Sequence, residues 1–103
     1  MLEKNVEAHL NKRVKESGGL SFKWISTVTG VPDRIVLLNN QVWFVELKTT
    51  TGKLSARQNL VFSQICLQGQ AVFVLRSKED VDDFITFATG SVAAVTAPND
   101  RIG

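Results

Sequence analysis

Cysteine and histidine are almost absent from this sequence, which has one residue of each type among 103. A single cysteine, Cys66, cannot form an internal disulfide, and so low a cysteine content is typical of a protein of the reducing cytosol. One cysteine and one histidine also exclude the usual four-ligand structural zinc site. We expect Cys66 to be a small buried residue on a helix and not a nucleophile.

Long hydrophobic runs are missing as well. No apolar stretch approaches the roughly 18 residues that a membrane span needs, and residues 1–5 lack the apolar centre of a signal peptide. The net charge of +2 is too small to indicate nucleic-acid binding by itself. With 44% hydrophobic and 21% charged residues, the composition suits one globular domain. We therefore expect a cytoplasmic protein without a membrane partner.

Hydrophobic periodicity predicts an α/β domain in the order helix, three strands, helix, strand, helix. Apolar residues at every fourth position define the first helix, namely Leu2, Val6, Leu10 and Val14. This helix should end at the glycine pair 18–19. The predicted strands are residues 20–24, 34–38, 41–48 and 71–75, and the other helices begin after Ser55 and Ser77. We expect the first of these strands to be half-buried.

The predicted sheet is mixed and lies in the centre of the domain, with helices beside it. A tight turn should make the second and third strands antiparallel, and a helical crossover should make the third and fourth parallel. We predict one domain over residues 1–89 and a flexible tail over residues 90–103. The apolar residues of the middle helix fit either full burial or a partner surface, and we favour burial: Leu60, Phe62 and Leu67.

Two carboxylates are predicted to face each other across the hairpin of the second and third strands. Asn39 and Asn40 tolerate the positive φ that a two-residue turn requires. In that register the strands pair residue by residue outward from the turn, and this pairing places Asp33 opposite Glu46. Opposed carboxylates repel each other, which indicates a compensating cation. Lys48 on the same face, or a bound divalent metal ion, could supply it.

This arrangement suits phosphodiester hydrolysis. Mg²⁺ and Mn²⁺ prefer oxygen ligands, usually one or two carboxylates together with waters and phosphate oxygens. Asp33 and Glu46 supply the carboxylates, and Lys48 could orient water or stabilise charge on a phosphate. A plain salt bridge between Glu46 and Lys48 is the simpler alternative. Gln58 has two interpretations: it could support the site, or bond back to the Ser55 amide in a capping box. We expect its side chain to serve one role at a time.

Three segments, taken together and in this order, resemble the virus-type replication-repair nuclease (VRR-NUC) domain. They are Gly-Val-Pro-Asp-Arg at 30–34, Phe-Val-Glu-Leu-Lys at 44–48 and Leu-Ser-Ala-Arg-Gln at 54–58. That family belongs to the PD-(D/E)xK nuclease superfamily, which includes restriction enzymes and Holliday-junction resolvases. The resemblance covers nearly all of residues 2–76 and implies a restriction-endonuclease-like core.

The resemblance also implies roles for the matching positions. The catalytic set would be Asp33, Glu46, Lys48 and Gln58. Asp33 and Glu46 would bind Mg²⁺ or Mn²⁺. The family uses a further glutamate on the first helix, where both Glu3 and Glu7 are candidates. We favour Glu7 as the third metal ligand because it borders the apolar stripe of that helix.

Small stand-alone members of this family resemble phage and bacterial Holliday-junction resolvases. The resemblance therefore implies a structure-specific DNA endonuclease for four-way junctions in a bacterial cell, encoded by the cell or by a phage. Symmetric cutting of two strands needs two sites, so it also implies a homodimer. The alternatives are a nuclease for flaps or general DNA, and a non-catalytic DNA-binding module. For each of these functions we expect Lys53 and Arg57 to contact DNA phosphates.

Overall fold

A computed structural model describes residues 3–90, which form a four-stranded sheet and three helices. The helices are α1 (Glu3–Glu16), α2 (Ala56–Leu67) and α3 (Lys78–Thr89). The strands are β1 (Leu20–Lys23), β2 (Arg34–Leu38), β3 (Gln41–Leu47) and β4 (Val72–Leu75). The strand order is β1-β2-β3-β4, antiparallel except for the parallel pair β3–β4. The predicted mixed α/β sheet is confirmed, whereas the predicted tail lies outside the described residues except for Gly90.

The β2–β3 hairpin has the predicted register. Asn39 and Asn40 have φ values of 57° and 62°, as a type I′ turn requires. This turn matches the right-handed twist of the two strands, so the ladder continues without a bulge over all five pairs. One step beyond the last pair, Asp33 lies opposite Glu46. The carboxylate pair is therefore a direct consequence of the turn.

The hydrophobic core lies on one face of the sheet, between the sheet and the helices α1 and α3. The stripe of α1 is buried as predicted at Val6, Leu10 and Val14, and α3 buries one face made of Val81, Phe84, Ile85 and Ala88. Trp43 of β3 lies at the centre of an aromatic cluster. Its ring centroid is 5.9 Å from those of Phe73, Phe84 and Phe87. The Trp43 indole N–H donates to the carbonyl of Leu38 at 2.9 Å, so the buried ring leaves no unsatisfied donor.

The opposite face of the sheet carries Asp33 and Glu46, and we call it the site face. The helices predicted beside the sheet cover this face only in part, because it is open along β1 and at the end away from the acids. Leu20, Phe22 and Val42 are 55%, 52% and 47% exposed there. The predicted half-burial of β1 is therefore wrong for its apolar residues. The reason is that α2 packs against β4 and leaves the β1 side uncovered.

The helix α2 buries only one narrow side. Val61 and Phe62 are buried, whereas Leu60 is 48% and Leu67 is 82% exposed. Burial of this helix was therefore predicted correctly for Phe62 and wrongly for the two leucines. Cys66 is also exposed, which corrects the expectation of a buried thiol. Within residues 3–90, no helix has the length and apolar character to cross a membrane.

Candidate active site

Asp33 and Glu46 are held together by reciprocal hydrogen bonds to the opposite strand. The Asp33 backbone N–H donates to Glu46 Oε1 at 3.1 Å, and the Leu47 N–H donates to Asp33 Oδ2 at 3.0 Å. Each carboxylate thus accepts a hydrogen bond from a backbone N–H group on the side of the hairpin that carries the other carboxylate. Glu46 is only 2% exposed, while Asp33 is partly open to solvent. These bonds hold two like charges side by side in an arrangement that electrostatics alone would oppose.

The environment of Glu46 favours a nearby cation. Burial raises the pKa of Glu46, and the adjacent Asp33 charge raises it further. The Lys48 ammonium, whose Nζ lies 3.6 Å from Glu46 Oε2, opposes that rise, as do the hydrogen bonds from the Asp33 amide and Gln58. Two carboxylates beside this lysine still leave an excess of negative charge. A divalent cation with two protein carboxylates, waters and phosphate oxygens as ligands fits this donor set.

Gln58 connects the start of α2 to the site. The Ser55 hydroxyl accepts the Gln58 backbone N–H at 3.0 Å, and Gln58 Oε1 accepts the Ser55 N–H at 2.9 Å, which is the predicted capping box. Gln58 Nε2 simultaneously donates to Glu46 Oε2 at 2.9 Å. The expectation that this side chain serves one role at a time is wrong. An amide carries its acceptor and its donors on different atoms, so one group fills both roles.

Glu7 has a different partner from the one we predicted. Arg34 Nη1 donates to Glu7 Oε2 at 2.6 Å, and Arg34 Nε donates to the Ser21 hydroxyl at 3.0 Å. Arg34 is 6% exposed and follows Asp33 along the strand, so its side chain points to the opposite face of the sheet. Across residues 3–90 no cluster of three or more His, Cys, Asp or Glu side chains could hold a metal ion. The structure thus brings Asp33 and Glu46 together without Glu7, whose role as a ligand stays a prediction.

Arg76 positions the loop that follows Lys48, a role that sequence reasoning did not identify. Its guanidinium donates to the carbonyl of Thr49 at 3.0 Å and to that of Gly52. The Lys48 backbone N–H also donates to the carbonyl of Leu75, which extends the parallel pairing of β3 and β4 to this lysine. No local pattern marks Arg76, because the loop that it holds lies more than 20 residues earlier in the chain.

Comparisons with known proteins agree with this arrangement. No family model matches the sequence. The chain is 35% identical over 79 residues to "Putative nuclease p44" of Acyrthosiphon pisum secondary endosymbiont phage 1, covering 75% of this chain and 85% of that protein. A solved structure titled "VRR_NUC domain" has a TM-score of 0.75 and 31% identity, over 81% of this chain and 92% of the other. Another, "VRR_NUC domain protein", has a TM-score of 0.68 at 13% identity, over 85% and 88% of the two chains, and supports the fold alone.

The mixed sheet and its opposed carboxylates, together with these relatives, define an α/β nuclease. Within that class the chain belongs to the VRR-NUC family. The predicted family and fold are therefore confirmed. The individual roles of Asp33, Glu46, Lys48 and Gln58 remain predictions, now with a geometry from which to argue them.

Proposed function

We propose that this nuclease is a DNA endonuclease that depends on Mg²⁺ or Mn²⁺ and hydrolyses phosphodiester bonds in branched DNA, with the four-way junction as its preferred substrate. The observation that carries the proposal is the interlocked pair of Asp33 and Glu46, which the hydrogen bonds of two strands hold together despite their charge. A protein that retains such a pair beside a lysine has kept what metal-assisted hydrolysis requires. A binding module has no need of it.

The roles follow from the contacts. Asp33 and Glu46 would hold the metal ion, and Glu7 could join them only by leaving Arg34. When bound, such an ion supplies Lewis acidity and lowers the pKa of water that it binds. Gln58 fixes the Glu46 carboxylate through its Oε2 atom. The Lys48 ammonium, 3.6 Å from the same oxygen, is suited to orient the attacking water and to stabilise charge developing on the phosphate.

The preference for branched DNA is supported by the surroundings of the site. Lys53 and Arg57 are exposed cations near Lys48 and Gln58 in the chain, and contacts of that kind position DNA without reading its sequence. None of the described helices has the features of a base-reading recognition helix, which favours recognition of shape. Residues 3–90 hold one such interlocked carboxylate pair, so symmetric cutting of a junction would require a homodimer. The similar phage protein supports a role in the cytoplasm of a bacterial cell, with a phage origin.

The test is cleavage of a labelled four-way junction beside a flap and a linear duplex of the same sequence, in Mg²⁺ and in Mn²⁺. We expect paired nicks in the junction and a loss of at least about a hundredfold in Glu46→Gln, because removing one ligand charge weakens metal-assisted hydrolysis. Glu79→Gln, the same change at an exposed site on α3, is the matched control and should cut normally.

Each other outcome has a definite meaning. Cutting of flaps or of all substrates would retain the nuclease and remove the junction preference. Equal rates in the wild type and Glu46→Gln would contradict the metal assignment. If no substrate is cut in either metal, the non-catalytic DNA-binding module becomes the better interpretation.

A further inference from the structure

The loop between β1 and β2 leaves and returns beside the carboxylate pair. The Trp24 backbone N–H donates to the carbonyl of Asp33 at 2.7 Å, so the two ends of the loop meet at the metal-binding strand. Residues 25–31, which we call the site loop, present two apolar side chains to solvent. Ile25 is 86% and Val28 is 50% exposed. Single exposed apolar residues are ordinary, but two within four residues on a loop next to a catalytic acid need an explanation.

Specific contacts hold the site loop in place. Arg57 Nε donates to the carbonyl of Thr29 at 3.2 Å. Gly30 has φ +96°, and a Cβ added there would lie 2.9 Å from Arg57 Cγ, so this close approach requires glycine. At the start of the loop, the Trp24 ring packs on Phe44 with centroids 5.7 Å apart. The loop is thus docked on both β3 and α2.

This anchoring keeps Ile25 and Val28 out of the core. Burial of an aliphatic side chain contributes favourable free energy, and the loop forgoes most of it at Ile25 and about half of it at Val28. An apolar side chain held in solvent by a docked loop can recover that free energy against an external partner.

The composition of the loop indicates the chemistry of that partner. Residues 24–32 contain no acidic side chain, and the exposed cation Arg57 lies against the loop. Hydroxyl groups between the apolar residues are further phosphate donors, at Ser26, Thr27 and Thr29. A partner with negative charge on its outside and apolar faces within matches this pattern. DNA with accessible base faces has both properties.

We propose that the site loop reads the branch point of the DNA substrate. Ile25 and Val28 pack against the faces of bases exposed at the branch, and Arg57 binds a flanking phosphate. This inference rests on the proposed function and extends it. Because the Trp24–Asp33 hydrogen bond ties the loop to the acid pair, the cleaved phosphodiester lies at a fixed separation from the branch point.

The experiment uses a four-way junction with 2-aminopurine at the branch point, since the fluorescence of this base increases when it leaves the stack. The Glu46→Gln chain binds the junction in Mg²⁺ so that cleavage does not interfere. We expect a severalfold rise in fluorescence with this chain and little rise when Ile25→Ser is added. The affinity for the junction should fall about tenfold, equivalent to 1.4 kcal/mol, while the affinity for linear duplex should change less.

Two further variants separate branch reading from general effects. Leu67→Ser removes a comparably exposed apolar side chain from the end of α2, 82% exposed, and should leave both readouts unchanged. Lys53→Gln removes an exposed cation near Lys48 in the chain, and it should weaken binding to junction and duplex alike and reduce the salt dependence of both. Thermal melting of each variant establishes that it is folded.

The inference is overturned if Ile25→Ser retains the fluorescence rise and the preference for the junction. It is also overturned if Ile25→Ser changes only the oligomeric state in light scattering, because the loop would then contact a second copy of the chain. Failure of the proposed function has a separate signature, the absence of metal-dependent cleavage by the unaltered chain. That outcome is measured independently of the fluorescence.

Discussion

Gln58 joins the start of α2 to the carboxylate of Glu46, because its amide oxygen accepts the Ser55 N–H and its amide nitrogen donates to Glu46. In Gln58→Glu, an acceptor remains for the Ser55 N–H, but a third carboxylate then faces Glu46. We expect the pKa of Glu46 to rise further and the rate of metal-dependent cleavage to fall at least about tenfold, or ~1.4 kcal/mol of transition-state stabilisation. Cleavage rates measured across pH with the preferred substrate check both effects.

Ser55→Ala is the matched control for that prediction. It removes the hydroxyl of the capping box, which should cost about 1 kcal/mol of stability in urea unfolding. The bond from Gln58 to Glu46 does not involve that hydroxyl, so cleavage should change less than about twofold. If Ser55→Ala loses as much activity as Gln58→Glu, Gln58 acts only through the helix cap.

Glu7 and Glu3 are the two candidates for the acid of the first helix, and they should contribute differently to stability because only Glu7 pairs with Arg34 in the described contacts. Glu7→Gln removes the charge that faces Arg34, a guanidinium only 6% exposed. We expect a loss of about 2 kcal/mol in urea unfolding, less than for a fully buried pair because Glu7 itself is about a third exposed. Glu3→Gln alters an exposed residue and should stay within about 0.5 kcal/mol of the wild type. Equal stability of the two variants would mean that the pair with Arg34 contributes nothing.

At the scale of elements, Asp82 ties α3 to α1. His9 Nε2 lies 2.8 Å from Asp82 Oδ1, and Arg13 contacts the same oxygen. The hydrogen bond with His9 lowers the pKa of Asp82 below its usual 3.8, and the charges of His9 and Arg13 lower it further. A carboxyl whose pKa is lower in the folded state stabilises the fold above its unfolded pKa. That contribution is lost as the pH falls through the folded value.

Asp82→Asn should therefore melt at a lower temperature than the wild type above about pH 5, and the difference should shrink below about pH 3. Circular dichroism melts across this range measure it. Asp83→Asn, at an exposed neighbouring position on α3, is the control and should show no such trend. A pH-independent difference for Asp82→Asn would mean that the charge of Asp82 does not act in this contact.

The elements that the sequence predicts well are those set by neighbouring residues. Asn39 and Asn40 determine the hairpin turn, and through it the register that opposes Asp33 and Glu46. Ser55 likewise marks the start of α2. The predictions of burial that failed concern residues whose exposure depends on where a helix packs. Exposure of Leu20, Phe22 and Cys66 follows from the position of α2 beside β4, which no local pattern encodes. The pair of Arg34 with Glu7 is equally non-local, since 27 residues separate them.

For the whole molecule, the proposed metal site predicts a compromise, because the two like charges that would bind the ion also repel each other in its absence. In Asp33→Asn one charge disappears, while the side-chain oxygen can still accept the Leu47 N–H. In EDTA we expect this variant to melt at the wild-type temperature or a few degrees above it, because the repulsion with Glu46 is gone. Mn²⁺ at 100 times its Kd should stabilise the wild type by about 2.7 kcal/mol. For a domain of this size that is a rise of roughly 10–20 °C in Tm.

Asp33→Asn should lose most of the rise in Mn²⁺, and Asp83→Asn should retain it. Differential scanning calorimetry with and without Mn²⁺ makes the comparison. An unchanged Tm of the wild type in Mn²⁺ would favour a plain salt bridge between Glu46 and Lys48 over a metal site.

The two-residue turn at Asn39 and Asn40 also has a consequence for the order of folding. It makes the contact between Asp33 and Glu46 local, and a hairpin of this kind closes within about 1–10 μs. The parallel pairing of β3 with β4 must wait for the crossover through α2, a longer loop to close. We therefore expect the two acids to meet early, before β4 has docked. Their repulsion then slows hairpin closure, and replacing either acid by its amide should speed refolding in EDTA.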